Sequence, residues 1–256
     1  EPLDWNGVND KSGGTKPTIW NANCGGIFGP ELMFSRTLEI EMGQQNRFEA
    51  VKNSRDGTQI KYWDSDNGKY WHKLRSSIRS RKGYGNWKGF IWHQGIQDSL
   101  MEGEDTSLTY LGNLTGLIHQ VRTEMFDSSD AGTWQCEKEI PVVVVQIGHW
   151  PRNARAGRVR AAQAQYCDED PRAELVIMDD LSQFYHADAP SLLIEGHRIA
   201  QAYQAASQTN VTCPSTPTLL EGPSTPKMST PTRNPLSPPH HIQTDSSTMS
   251  SAPSSS

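Results

Sequence analysis

A short, almost entirely apolar run, residues 140–147 (IPVVVVQI), constrains the fold of this chain more than any other feature. Four consecutive β-branched valines favour an extended strand. Because apolar side chains here do not alternate with polar ones, both faces of the strand must be covered, as in a parallel sheet packed between helices. The run therefore predicts an α/β fold with a buried central strand.

Helix-like and strand-like patterns alternate on both sides of this run. Before it, one helical stripe is traced at spacings of three and four by Tyr110, Leu114, Leu117, Val121 and Met125. Further helices are predicted from Pro30 to about Met42 and over residues 190–206. Two more are indicated by apolar stripes, one through Trp71, Leu74 and Ile78 and the other through Val159, Ala162 and Tyr166. Strands are predicted at residues 48–52, 87–92 and 174–178. This alternation predicts a three-layer α/β/α sandwich with a central parallel sheet.

The composition changes near residue 207. From there the chain consists mainly of Ser, Thr and Pro and ends in SSAPSSS. Such a segment buries too little apolar surface to offset the entropy lost on ordering, so we expect disorder. It also accounts for the low mean hydropathy of the whole chain, −0.67. We predict one domain over residues 1–206 and a disordered tail over 207–256.

Charge and cysteine spacing exclude several classes of function. A net charge of −5 provides no basic surface for nucleic acid, and no apolar stretch is long enough to span a membrane. The four cysteines lack C-x-x-C spacing, so neither a metal nor a cofactor is expected. Their even number, two N-glycosylation triplets beginning at Asn113 and Asn210, and the Ser/Thr/Pro-rich tail favour a secreted or extracellular protein. The sequence does not indicate an oligomeric state.

Residues 89–98 (GFIWHQGIQD) join a short apolar strand to a turn rich in hydrogen-bonding side chains. Ligands of open α/β sheets bind at the carboxyl ends of strands. His93, Gln94 and Asp98 are therefore candidates to line a site. An alternative stays open, namely that this turn only satisfies backbone groups at the end of the strand.

Four short blocks follow one another along the chain: residues 29–31 (GPE), 52–63 (KNSRDGTQIKYW), the Trp-His-Gln-Gly turn itself, and 179–200 (DDLSQFYHADAPSLLIEGHRIA). In this order they resemble the SGNH/GDSL hydrolase superfamily and, within it, the sialate O-acetylesterase-like carbohydrate acetylesterases. The resemblance covers roughly residues 1–205. It implies an SGNH/flavodoxin-like fold, an O-acetylated carbohydrate as substrate, and hydrolysis of its acetyl ester by a serine nucleophile.

The resemblance also implies roles for particular residues. The backbone N–H of Gly57 and the side-chain amide of Gln94 match the oxyanion-hole donors, and His186 matches the catalytic base. The family's aspartate that orients this base is replaced by Gln183, so Asp180 or Asp188 could take that role, or none. The residues expected to line the binding pocket are His93, Asp98, His149 and Arg160.

The sequence departs from the family pattern at the nucleophile. The family carries its serine in a Gly-Gln-Ser-Asn turn before the Gly-Pro-Glu helix, and no such turn is present. We therefore expect an N-terminally incomplete sequence whose first strand and serine lie outside it and which is inactive as written. The alternative is a non-catalytic carbohydrate-binding or surface protein that retains the fold. That alternative is favoured by two departures from the family, the loss of the acidic residue after the Trp-His-Gln-Gly turn, where Ile96 stands, and the replacement of the orienting aspartate by Gln183.

Overall fold

The computed structural model describes residues 29–43, 49–64, 68–83, 86–100, 104–148, 153–181 and 188–213, all within one compact unit, Glu1–Ser215. The helices are α1 (Glu31–Glu41), α2 (Trp71–Arg79), α3 (Ile96–Ser99), α4 (Tyr110–Ser128), α5 (Ala154–Glu169) and α6 (Ala189–Gln208). The strands are β1 (Phe90–Trp92), β2 (Val142–Val145) and β3 (Ala173–Val176), and short 3-10 turns lie at Ile60–Tyr62, Thr106–Leu108 and Glu137–Glu139.

The three strands of the described residues form a parallel sheet in the order β1-β2-β3. All four valines of central β2 are buried, as the apolar run predicts. Val142 and Val144 pack into a core cluster with residues of α2, α4 and α5, whereas Val143 and Val145 pack into a second cluster with residues of α1 and α6. Helices therefore cover both faces, and the predicted α/β/α sandwich is confirmed.

Two of the described helices, α5 and α6, begin at side-chain caps. At the start of α5, the Asn153 side chain accepts hydrogen bonds from the backbone N–H groups of Arg155 and Ala156. At the start of α6, Asp188 accepts one from Ser191. These side chains satisfy amides that have no partner inside the helix. None of the helices in the described ranges has the combination of length and apolarity needed to cross a membrane.

The strand predicted at residues 48–52 is not found. Residues 49–52 have no strand structure, and Phe48 lies outside the described residues. A strand requires a hydrogen-bonded neighbour, and β1 pairs with β2 on one side while no strand of the described residues pairs with its other edge. The strand predicted at 87–92 is shorter than expected and begins at Phe90, whose N–H donates to the Pro141 carbonyl.

The predicted tail is attached to the domain at its start. Helix α6 continues to Gln208, and the Arg172 side chain donates to the carbonyls of Ser207 (2.8 Å) and Thr209 (2.6 Å). Cys213 forms a disulfide with Cys136. Residues 214–256 lie outside the described residues, so the disorder expected for them stays a prediction.

Candidate active site

The Trp-His-Gln-Gly turn leaves the sheet at the carboxyl end of β1. Its glycine, Gly95, has φ +139°, a backbone conformation that residues with a side chain rarely adopt. A Cβ there would lie 2.9 Å from the Ile147 side chain and 2.9 Å from the Val159 side chain. Only glycine allows this sharp entry into α3 against the core. The turn is therefore held close to the end of β2 and the start of α5.

Gln94 connects this turn to the loop that carries Gly57. Its Nε2 donates to the Thr58 carbonyl (2.7 Å) and to Asp98 Oδ2 (2.6 Å), and its Oε1 accepts from the Tyr110 hydroxyl (3.2 Å). Three partners thus fix the orientation of the carboxamide. The contact with Thr58 joins Gln94 to the residue that follows Gly57, so the two oxyanion-hole candidates lie near each other.

Asp98 lies behind Gln94 and is only 1% exposed. Its carboxylate accepts from the Ile60 backbone N–H (3.0 and 3.2 Å), the Thr106 hydroxyl (2.5 Å) and Gln94. Burial raises the pKa of Asp98 above its ordinary value, and the hydrogen bonds from Gln94, Thr106 and Ile60 counteract only part of that effect. The residue organises the loop around Gly57, and its oxygens are occupied by these donors.

Gly57 has φ +64° and is exposed. Among the described residues, a Cβ at this position would meet only Gln97 Oε1, at 4.0 Å, so on that side the backbone is open to an approaching group. The following residue is anchored, because the buried Thr58 hydroxyl donates to the Arg55 carbonyl (3.0 Å) and accepts from the Trp63 indole N–H (2.9 Å). The loop therefore presents an accessible backbone on a rigid support.

His93 faces the opposite side of the sheet from Gln94. Its Nδ1 lies 2.9 Å from Oε1 of Glu195 in α6. The His93 side chain is 41% exposed and that of Glu195 is 0% exposed. The two atoms are at ion-pair distance, but the geometry is not that of a formed hydrogen bond, and neither Glu195 oxygen has a hydrogen-bond partner among the described residues.

Two side chains of α5 hold the carboxyl end of β2. Gln163 Oε1 accepts from the Ile147 N–H (3.1 Å), and its Nε2 donates to the Gln94 carbonyl (2.9 Å). Arg160 donates to the Ile147 carbonyl and forms a bidentate pair with Asp179 at 2.8 and 2.8 Å. Arg160, predicted to line the pocket, therefore has its guanidinium engaged within the protein.

The acids considered for orienting the base are both engaged. Asp180 forms a bidentate pair with Arg198 (2.6 and 2.6 Å), and the Arg198 hydrogen bond lowers the pKa of Asp180 to about 2. Asp188 caps α6 through the Ser191 N–H, which lowers its pKa. His186, His149 and Gln183 lie outside the described residues, so the roles implied for the two histidines stay predictions.

Three serines of the described residues, Ser35, Ser54 and Ser99, do not form a nucleophile turn. Ser35 lies within α1, and Ser54 is exposed in the loop before Gly57. Ser99 is buried at the end of α3, where its hydroxyl donates to the Ile96 carbonyl at 2.6 Å. No group of three or more His, Cys, Asp or Glu side chains suited to a metal ion occurs in the described part of the chain.

Sequence reasoning missed two residues of this site. Tyr110 was expected only as core, yet its hydroxyl donates to the Gln94 carbonyl at 2.9 Å. Glu195 was not singled out at all. Its position relative to Ile199 and Tyr203, four and eight residues later, places a carboxylate on the buried stripe of α6, and that spacing is the signal that could have found it.

Comparison with known protein families gives a match over most of the chain. A family profile described as "carbohydrate esterase, sialic acid-specific acetylesterase" matches residues 10–205. A search of curated proteins finds no match. The profile spans the whole sheet and every described residue of the site.

Proposed function

Because the chain belongs to the carbohydrate esterase family of sialic acid-specific acetylesterases, we propose that it hydrolyses acetyl esters of O-acetylated sugars through a serine nucleophile. The observation that carries the proposal is the convergence of Gln94 and the Gly57 loop at the carboxyl end of β1. Donors at this edge of the sheet are where an acyl oxygen would be bound.

In the proposed reaction a serine hydroxyl attacks the acetyl carbonyl while His186 takes its proton. The carbonyl oxygen becomes negative and is stabilised by the N–H of Gly57 and the amide of Gln94. His186 then protonates the departing sugar oxygen, and water releases acetate by the reverse sequence. Each oxyanion donor is typically worth about 3 kcal/mol of barrier.

The contacts of Gln94 support a preorganised donor. Asp98 and the Thr58 carbonyl both accept from its Nε2, and the Tyr110 hydroxyl fixes its Oε1. Donation to a substrate oxygen requires one of the two Nε2 contacts to be released or shared. Because the remaining partners stay in place, the carboxamide needs little reorganisation at the moment of reaction.

We propose that the nucleophilic serine is supplied by a segment other than residues 1–256, and the form that carries this segment is called the full-length protein. The decisive experiment measures acetate release from an O-acetylated sialic acid by the full-length protein and by its His186→Ala variant. We expect the variant to lose activity and a preparation of residues 1–256 alone to show none. Unchanged acetate release by the variant would rule out His186 as the base.

The second candidate is a non-catalytic carbohydrate-binding protein. It is favoured by the engagement of both Gln94 Nε2 contacts within the protein and by the absence of a serine turn from the sequence. Binding of the acetylated sugar by the full-length protein with no release of acetate would favour this candidate over the enzyme.

A secreted or extracellular location is part of the proposal, and the Cys136–Cys213 disulfide supports it. Of the two glycosylation triplets, Asn210 is exposed beyond the end of α6, whereas Asn113 lies within α4 beside the fully buried Leu114. After expression through a eukaryotic secretory pathway, we expect a glycan that is lost in Asn210→Gln and kept in Asn113→Gln. A protein carrying no glycan, as judged by endoglycosidase digestion, would contradict this.

A further inference from the structure

The contact between His93 and Glu195 has no part in the reaction just described. His93 follows β1 and is partly exposed, while Glu195 is completely buried in the first half of α6. Nδ1 of the imidazole lies 2.9 Å from the carboxylate. A fully buried carboxylate beside a half-exposed histidine requires a physical reason, because burying an unpaired charge is strongly unfavourable.

The alternation of side chains along β1 places His93 on a different face from Gln94. Ile91 packs against the cluster formed with α1 and α6, and Trp92 packs against the cluster on the other side of the sheet. His93 continues the pattern of Ile91 by meeting α6, and Gln94 continues that of Trp92 by meeting Asp98. The two residues therefore flank the end of β1 from opposite faces.

Glu195 depends on His93 for its electrostatic partner. Within the described ranges neither of its oxygens accepts a hydrogen bond, and its one ion-pair contact there is the imidazole. An N–H on Nδ1 lowers the energy of the buried carboxylate, so the proton is favoured on that nitrogen. Nε2, on the far side of the ring, is then left with its lone pair free to accept a hydrogen bond.

We propose that Glu195 is a positioning residue that keeps the proton of His93 on Nδ1, so that Nε2 accepts a hydrogen bond from a free hydroxyl of the acetylated sugar. This rests on the proposed function. The polarity at the end of β1 then matches the substrate, because Gln94 donates towards the acyl oxygen and His93 accepts from a neighbouring hydroxyl. A simple acetyl ester without hydroxyls would not use His93.

The first experiment reads the tautomer of His93 from the ¹⁵N shifts of its imidazole in the folded protein. We expect the proton of the neutral ring on Nδ1 in the wild type and in Glu195→Gln, whose amide oxygen keeps a partial negative charge beside Nδ1. In Glu195→Leu, which keeps the site filled and removes the buried charge, we expect it on Nε2. Glu169→Leu, the same substitution at an exposed glutamate of α5, is the matched control and should leave the wild-type result.

A wild-type His93 with its proton on Nε2 would overturn the proposal, and so would a Glu195→Leu variant that keeps the wild-type tautomer. Unchanged far-UV circular dichroism and an unchanged urea transition show that each variant is folded, and the imidazole signals of exposed His72 and His119 should not move. This experiment requires no catalysis, so its outcome is independent of whether the protein hydrolyses esters.

The second experiment compares two esters, an O-acetylated sialic acid and 4-nitrophenyl acetate, with His93→Ala in the full-length protein. Losing one hydrogen bond to a sugar hydroxyl should lower kcat/KM for the sugar ester about 5- to 10-fold more than for the simple ester. Equal losses with both esters would overturn the hydroxyl contact. If the wild type hydrolyses neither ester, the proposed function is wrong, and the proposed contact with a sugar hydroxyl is wrong with it. The ¹⁵N measurement of the His93 tautomer still tests the role of Glu195 in that case.

Discussion

Asp98→Ala should both destabilise the protein and disable the site, because it removes a carboxylate that supports both. The carboxylate accepts from the Ile60 N–H, the Thr106 hydroxyl and Gln94 Nε2, and it is 1% exposed. The buried Ile60 amide loses its acceptor, at about 1–3 kcal/mol, and hydrogen bonds to a charged acceptor contribute about 1.5–3 kcal/mol. The Thr106 hydroxyl can rotate to another acceptor, and Gln94 keeps its hydrogen bond to the Thr58 carbonyl. The stability lost at these two residues is therefore only partial.

Removing the carboxylate also removes a charge that is unfavourable to bury, as the raised pKa of Asp98 indicates. The net loss in the free energy of unfolding should therefore be about 3 kcal/mol at neutral pH, measured by urea denaturation. In the full-length protein we expect acetate release to fall by more than the folded fraction, because Gln94 loses the partner that holds it. A loss of less than about 1 kcal/mol would refute the role assigned to Asp98.

Asp98→Asn is the matched control, because it keeps the volume and removes the charge. The pKa of Asp98 is higher in the folded than in the unfolded protein, so its contribution to stability is fully present below the unfolded pKa and is lost as pH rises through the folded pKa. The wild type should therefore exceed the asparagine variant by more at acid pH than at neutral pH. The opposite trend in urea midpoints would contradict the raised pKa.

Three further predictions concern the surrounding fold. Burial alone would raise the pKa of Asp170, but the Arg122 hydrogen bond lowers it. Arg122→Met should therefore lower the free energy of unfolding by about 3–5 kcal/mol near neutral pH, because it leaves the buried carboxylate unpaired. This deficit should shrink as Asp170 is protonated below about pH 4. Cys213→Ser opens the disulfide to Cys136, whose sequence separation is 77 residues, and should lose up to about 4 kcal/mol in urea. Gly95→Ala should lower Tm, with a loss of about 2–4 kcal/mol, because its Cβ meets two aliphatic side chains at a strained φ.

Each of these has a result that would contradict it. For Arg122→Met it is a deficit that does not change with pH. For Cys213→Ser, the control is the wild type with its disulfide reduced. If the two proteins differ in their free energy of unfolding in urea, the serine acts by something other than the loss of the disulfide. A Gly95→Ala protein with unchanged Tm would show that the turn can relax around a methyl group.

Local patterns were sufficient for most helices and for the central strand. The stripe from Tyr110 to Met125 predicted α4, and the valine run predicted β2, because an element that buries one or both faces must carry that periodicity in its own residues. The strand predicted at 48–52 was wrong, since extended residues become a strand only when another strand is there to pair with them.

The candidate site was predictable in outline only. That Gln94 and Gly57 should meet followed from the resemblance and from the common edge of parallel strands, and the contact through Thr58 agrees with it. Asp98 was expected to line the pocket, whereas its carboxylate is buried behind Gln94. A residue's spacing from a motif indicates its neighbourhood but not which side of a loop it faces.

By itself the sequence determined the α/β class, the family blocks and the positions of the apolar faces, because these depend on residues close together in the chain. Only the tertiary structure decided that Cys136 pairs with Cys213 while Cys167 stays free, and that Glu195 lies beside His93. Both contacts join residues far apart in sequence. Their geometry is set by how α6 docks on the sheet, a packing arrangement that no local pattern encodes.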